Sequence, residues 1–122
     1  EWLYKKVEDC VMRANFHNYK YNLDRMETLT YIEYHGANGG HYDWHVDGLI
    51  HMTRKLSFSL LLSDPSEYEG GELILDDSVK HEIKAEKGQI VFFPSSIMHT
   101  VRPVTKGIRR VLVSWIHGPH FT

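Results

Sequence analysis

The chain has 122 residues, enough for one domain over 1–122 and too few for a two-domain enzyme or a long repeat array. Its 42% apolar and 12% aromatic content is that of a globular protein, and a net charge of −2 supplies no overall positive field to draw it to nucleic acid or an anionic membrane. A single cysteine, Cys10, rules out an internal disulfide, no run of about 18 apolar residues occurs, and the opening EWLYKKVEDC has no signal-peptide core, so an intracellular, reducing, cytoplasmic setting without a membrane is expected.

Leu3, Val7, Cys10, Val11 and Ala14 fall at spacings of three and four, which predicts an amphipathic helix ending near 15–18. From Tyr19 onward the chain turns to short runs of Tyr, Thr, Val, Ile and Phe bounded by Gly, Asn, Asp or Pro. These predict strands near 28–35, 41–46, 55–62, 72–75, 80–84, 89–93, 99–102 and 108–116. Asp64-Pro65, Gly70-Gly71 and Lys87-Gly88 punctuate them as turns. One helix followed by seven or eight short strands predicts a mainly β fold, a double-sheet jelly roll or barrel behind an N-terminal helix.

Alternation assigns faces. Leu56, Phe58, Leu60 and Leu62 form one apolar face of their strand, and Ser57, Ser59 and Leu61 form the other. On the last strand Arg109 shares a face with Val111, Val113 and Trp115. A cation in an apolar row must lie at a solvent edge or reach an anion in a pocket, because an unpaired buried charge is costly.

Nine histidines direct attention to imidazole chemistry. His45-Val46-Asp47 places an imidazole and a carboxylate two residues apart, on one face of a strand or its extended continuation. Far along the chain His99 follows Ile90-Val91-Phe92-Phe93 and the turn Pro94-Ser95-Ser96, where a jelly roll can return it beside that pair. Two imidazoles and a carboxylate on one face of a metal leave the other face open, the set favoured by non-haem Fe(II) oxygenases. His-x-Asp alone is common in solvated turns. Its combination with Arg109, whose guanidinium can fork onto the far carboxylate of a dicarboxylic acid, is more specific.

The string from His45-Val46-Asp47 through Leu62-Ser63-Asp64-Pro65, Tyr68-Glu69-Gly70-Gly71-Glu72-Leu73, and Gly88-Gln89-Ile90-Val91-Phe92-Phe93-Pro94-Ser95-Ser96 leads to His99, Pro103-Val104-Thr105, Gly107 and Arg109. It resembles the prolyl 4-hydroxylase-like branch of the Fe(II)/2-oxoglutarate-dependent dioxygenases, especially the compact PKHD-type hydroxylases, over roughly 31–117. The resemblance implies a double-stranded β-helix with His45, Asp47 and His99 on Fe(II), Arg109 on the distal carboxylate of 2-oxoglutarate, and Tyr34, Ser57, Ser59, Leu61 and Leu73 around that co-substrate. Where some relatives offer a second hydroxyl to the distal carboxylate this chain has Leu61, so Ser57 or a water is expected beside Arg109 instead.

The same resemblance implies oxidative decarboxylation of 2-oxoglutarate by dioxygen, with ascorbate as accessory reductant, and hydroxylation of an unactivated C–H bond. The favoured acceptor is a prolyl residue in a peptide or protein; a free amino acid, a small metabolite or a nucleobase are alternatives. Tyr42, Trp44, Arg102 and Trp115 are the candidate substrate contacts. Plain packing serves equally for Tyr42 and Trp115, and a solvated strand edge for Arg102. His35, His41, His51, His81, His117 and His120 lack a partner at ligand spacing and are expected mostly on the surface or in loops. Two other classes share the barrel: a cupin-like metal enzyme not using 2-oxoglutarate, which gives Arg109 no purpose, and a non-catalytic binding module, which the intact ligand set disfavours.

Overall fold

Helix α1 (Trp2–Ala14) follows the predicted apolar stripe, with Val7 and Val11 buried, Cys10 half-buried and Glu8 and Asp9 exposed. The computed structural model describes residues 2–19, 21–48 and 53–119. A π-helical turn at Asn15–Tyr19 ends the helix, and the Asn15 side chain closes it by donating to the Tyr21 carbonyl and accepting from the Tyr21 amide.

Among the described residues ten strands follow: β1 (Arg25–Met26), β2 (Thr30–His35), β3 (Tyr42–His45), β4 (Arg54–Leu61), β5 (Tyr68–Gly70), β6 (Leu73–Asp76), β7 (Lys80–Ile83), β8 (Ile90–Pro94), β9 (Met98–Val101) and β10 (Val104–His117). They form two antiparallel sheets. The larger runs β1-β10-β4-β8, with β2 and β5 also paired to β10; the smaller runs β3-β9-β6-β7. Because β10 is 14 residues long, different stretches of it pair with β1, β2, β4 and β5. It is the spine on which Arg109 and Trp115 are mounted.

The eight predicted strands are all present. β1 and β5 are additional, and β5, which leads into the Gly70-Gly71 turn, pairs with Val104–Gly107. The reason is non-local: two or three residues with no apolar alternation are held extended only by hydrogen bonds to β10.

The alternation in β4 and β10 divides the core. Leu56, Phe58 and Ile116 pack against Val7 and Val11 of α1 on the outer face of the larger sheet. Leu61 and Val111 face inward and meet Leu73, Phe93 and Val101 between the sheets. The turn after β4 is fixed locally: Asp64 accepts from the Ser66 amide while Glu67 accepts from the Asp64 amide, a reciprocal cap around Pro65. No helix among the described residues is long and apolar enough to cross a membrane.

Candidate metal centre

β3 and β9 are paired in the smaller sheet with His45 directly opposite His99. Just past β3, the Asp47 and Gly48 amides both donate to the Ser95 carbonyl, which turns Asp47 back towards the two imidazoles. His45 Nε2 and His99 Nε2 lie 3.1 and 3.4 Å from Asp47 Oδ1. One ligand atom from each residue falls within 4.8 Å of the others, so a single ion can touch all three.

The hydrogen bonds behind the rings identify which nitrogens are free. His45 Nδ1 lies 2.8 Å from the Asp43 carbonyl and His99 Nδ1 lies 3.0 Å from the Ile97 carbonyl. A carbonyl only accepts, so each Nδ1 carries a proton and each Nε2 faces inward, where it donates to Asp47 when it is protonated and offers its lone pair to a metal ion when it is not. Such backing partners orient and strengthen imidazole ligands. Asp47 is held on its other oxygen: Ser57 Oγ donates to Oδ2 at 2.7 Å and is 2.9 Å from Ser95 Oγ.

Burial pushes the Asp47 carboxyl up, but hydrogen bonds from His99 and Ser57, the charge of His99 and a hydrogen bond from Trp115 outweigh it and hold it down at about 2. A carboxyl depressed in the folded state stabilises the fold above its ordinary value of 3.8 and loses that stabilisation as pH falls through the folded value. In metal-free protein, acidification from about pH 5 to pH 2 is therefore expected to remove roughly 2 kcal/mol through this group. Denaturant titration of the Asp47→Asn variant should show a correspondingly shallower pH dependence.

On the facing sheet, Arg109 is 6% exposed, yet its guanidinium has no carboxylate or hydrogen-bond partner among the described residues. It lies 5.6 Å from the centre of the Tyr34 ring, across the β2–β10 pairing that sets these residues opposite each other. Burial pushes the Tyr34 phenol up, more than the charge of Arg109 draws it down, so it is a neutral donor at physiological pH. A cavity of about 90 Å³ beside the three metal-ligand candidates meets a second of about 460 Å³ at Ser59, Leu73 and Arg109. A buried cation without an anion, facing a cavity, fits an anionic ligand.

Residues 29–117 match the 2OG-Fe(II) oxygenase superfamily. The chain belongs to this superfamily. It is 44% identical over 90 residues to a PKHD-type hydroxylase of Aliarcobacter butzleri, a match that covers 66% of this chain and 40% of the relative. The chain thus spans well under half of that relative's length.

Two solved structures share the fold. A prolyl-4-hydroxylase of Pseudomonas putida has a TM-score of 0.77 at 24% identity, covering 96% of this chain and 64% of that one. A prolyl hydroxylase from Trichoplax adhaerens, in complex with a hypoxia inducible factor oxygen degradation domain peptide, has a TM-score of 0.79 at 20% identity, covering 95% and 55%. The 2OG-Fe(II) oxygenase architecture is therefore the expected double-stranded β-helix. The nitrogen and oxygen donors of His45, Asp47 and His99 suit the ferrous ion named by the superfamily, and Arg109, which has no carboxylate partner among the described residues, suits the 2-oxo dicarboxylate.

Other sequence expectations divide. Leu61 lines the larger cavity and Leu73 lines both. Ser57 does not stand beside Arg109 as expected: its hydroxyl is committed to Asp47 and Ser95. It faces the same side as Ser59 but lies nearer the Asp47 end of β4. Ser57→Ala is accordingly expected to weaken Co(II) binding, followed by absorbance titration, by about 10- to 100-fold. Its affinity for 2-oxoglutarate, measured at saturating metal, should change little.

Tyr42 and Trp44, which alternation places together, are separated. β3 carries a register shift between Tyr42 and His45, and this irregularity brings Tyr42 onto the His45 ring at 3.9 Å between centroids. Trp44 instead packs with Lys80 at 5.5 Å and does not line the cavity. Arg102 sits at a solvated strand edge, the other reading its sequence position allowed, as an exposed partner of Glu82 at 3.3 Å. Trp115 does line the metal-side cavity.

Of the remaining histidines, His35, His41 and His81 are partly exposed and sit beside Glu33, Asp43 and Asp77. His117 is not a surface residue: its side chain is largely buried against Glu27. His51 and His120 lie outside the described residues. Sequence reasoning missed Ser95, Arg54 and Glu27; only the Pro94-Ser95-Ser96 turn beside a metal-ligand candidate pointed towards the first of them.

Proposed function

We propose that this chain is a 2-oxoglutarate-dependent dioxygenase that hydroxylates a prolyl residue in a peptide or protein, with Fe(II) held by His45, Asp47 and His99. The observation that carries the reading is the Arg109 guanidinium, which has no carboxylate or hydrogen-bond partner among the described residues and lines the same cavity as three converging ligand atoms. A cupin-like metal site needs no such cation. The curated PKHD-type relative and the prolyl hydroxylase neighbours, one of them bound to a peptide, support the acceptor class.

When bound, ferrous iron with 2-oxoglutarate supplies dioxygen activation, oxidative decarboxylation to succinate and insertion of one oxygen atom into a C–H bond. The chain's residues supply placement. His45 and His99 present Nε2 lone pairs fixed by their backbone partners, and Asp47 adds a negative charge whose direction Ser57 sets. Arg109 would receive the distal carboxylate through parallel N–H donors, with the phenol of Tyr34, which lines the same cavity, as a further donor. Phe93, Val101, Val111 and Val113 keep the cavity apolar, which strengthens these charge contacts. Tyr42, half exposed over His45, forms the rim on which an acceptor rests.

The test is a proline-containing peptide library incubated with protein, Fe(II), 2-oxoglutarate and ascorbate. Equimolar succinate and peptide gaining one oxygen atom is the expected result. Succinate without modified peptide would reject the prolyl acceptor and leave a free amino acid, metabolite or nucleobase. Failure to bind either the metal or 2-oxoglutarate would reject the chemistry.

A further inference from the structure

Behind Trp115 lies a polar cluster that the proposed chemistry does not itself require. The Arg54 guanidinium carbon sits 4.0 Å from the centre of the Trp115 ring, while Arg54 Nη1 reaches the Asp47 carbonyl at 3.4 Å. The other donors of the same group are fixed: Nε and Nη2 donate to the two Glu27 oxygens at 2.7 and 3.1 Å. Glu27 is in turn tied to β10 three times. Its amide donates to the Trp115 carbonyl at 2.9 Å, its carbonyl accepts from Ser114 Oγ at 2.8 Å, and its carboxylate lies 2.6 Å from His117 Nε2.

The tautomer of His117 agrees with this role. Arg25 Nη2, which can only donate, is 3.4 Å from Nδ1, and Thr53 Oγ1 is 2.6 Å from it; Nδ1 accepts and Nε2–H donates to Glu27. Glu27 thus carries the Arg54 fork and His117 on one carboxylate. The cluster ends on two elements beside the metal centre that the imidazoles do not fix: the backbone at Asp47, and the tryptophan that lines the cavity next to the Asp47 carboxylate.

We infer that Arg54, locked by Glu27, is a positioning residue that sets the Trp115 ring and the Asp47 backbone and so aims the Asp47 carboxylate at the metal. The inference rests on the proposed Fe(II) reading. A planar guanidinium can stack on an indole, fork onto a carboxylate and reach a carbonyl at once; an ammonium on a flexible stem cannot. Lysine at this position should therefore fail to restore what arginine does.

The test uses Co(II) as a spectroscopic stand-in, with Arg54→Met, Arg54→Lys and Glu27→Gln compared with the unaltered chain by absorbance titration. Expected are a Co(II) affinity about 10- to 100-fold weaker in Arg54→Met, with an altered ligand-field spectrum, and no rescue by Arg54→Lys. Glu27→Gln should change both in the same direction by a smaller factor, and it decides the matter if neither Arg54 variant folds. The affinity of metal-loaded protein for 2-oxoglutarate should stay within about twofold, since Arg109 is untouched. Unchanged affinity and spectrum in folded Arg54→Met, or full rescue by lysine, would overturn the positioning role alone. A wild-type chain that binds no Co(II) would overturn the Fe(II) reading and this inference with it.

Discussion

Asp47→Ala is expected to abolish stoichiometric Fe(II) binding and, with it, any succinate formation. Asp47 Oδ1 is the point on which both imidazoles converge, at 3.1 and 3.4 Å, and its carboxylate is the only anion in the group of three. Two neutral imidazoles without it form a site of lower charge and one fewer donor, so the loss should exceed the ~100-fold that follows removal of a partner behind a ligand. His99→Ala should have a similar effect, because His99 is one of the three donors and also one of the groups that keeps Asp47 ionised. Metal content after desalting and Co(II) absorbance measure the outcome directly. A full equivalent of metal in either folded variant would dismiss this donor set.

How much of this centre was legible beforehand depended on the range of the interaction involved. The helix stripe and the faces of β4 and β10 are properties of consecutive side chains, so Val7, Val11, Leu56 and Phe58 could be placed from spacing alone, while spacing gave Arg109 its face but not whether it met solvent or a pocket. The convergence of His45, Asp47 and His99 was readable through residue chemistry and the resemblance that orders those residues along the chain. β1 and β5 were not, since nothing in Arg25–Met26 or Tyr68–Gly70 alternates; their conformation is set by β10.

The role of Ser57 was misread for a related reason. Its face was correct, but distance along that face from Arg109 depends on strand register, which puts Ser57 opposite Trp115 and well short of Arg109. The separation of Tyr42 from Trp44 rests on an irregularity in β3 that strict alternation does not foresee. Glu27, Arg54 and His117 come from three separate segments, and no local pattern announces that they meet.

Arg109→Leu should raise the dissociation constant for 2-oxoglutarate, measured calorimetrically on metal-loaded protein, by about 100-fold or more. A bidentate charge-assisted contact contributes about 3 kcal/mol, and each 1.4 kcal/mol is about a factor of ten. Metal affinity should be nearly unchanged, because Arg109 touches none of the three ligand candidates. The neighbour that gives the arginine its room is Gly71: a β-carbon there would lie 2.9 Å from Arg109 Cδ and 2.8 Å from Val104 Cγ2. Gly71→Ala should therefore displace the guanidinium and weaken 2-oxoglutarate binding by about tenfold. Gly71 also has φ of +70°, so a loss of fold stability accompanies the change whatever the arginine does. Gly88→Ala separates the two effects, since Gly88 has φ of +85° but nothing within 4 Å of the added carbon. If both variants lose similar stability and only Gly71→Ala loses co-substrate affinity, crowding at Arg109 is the cause; equal effects on affinity would mean that backbone strain, not the placement of the guanidinium, governs the pocket.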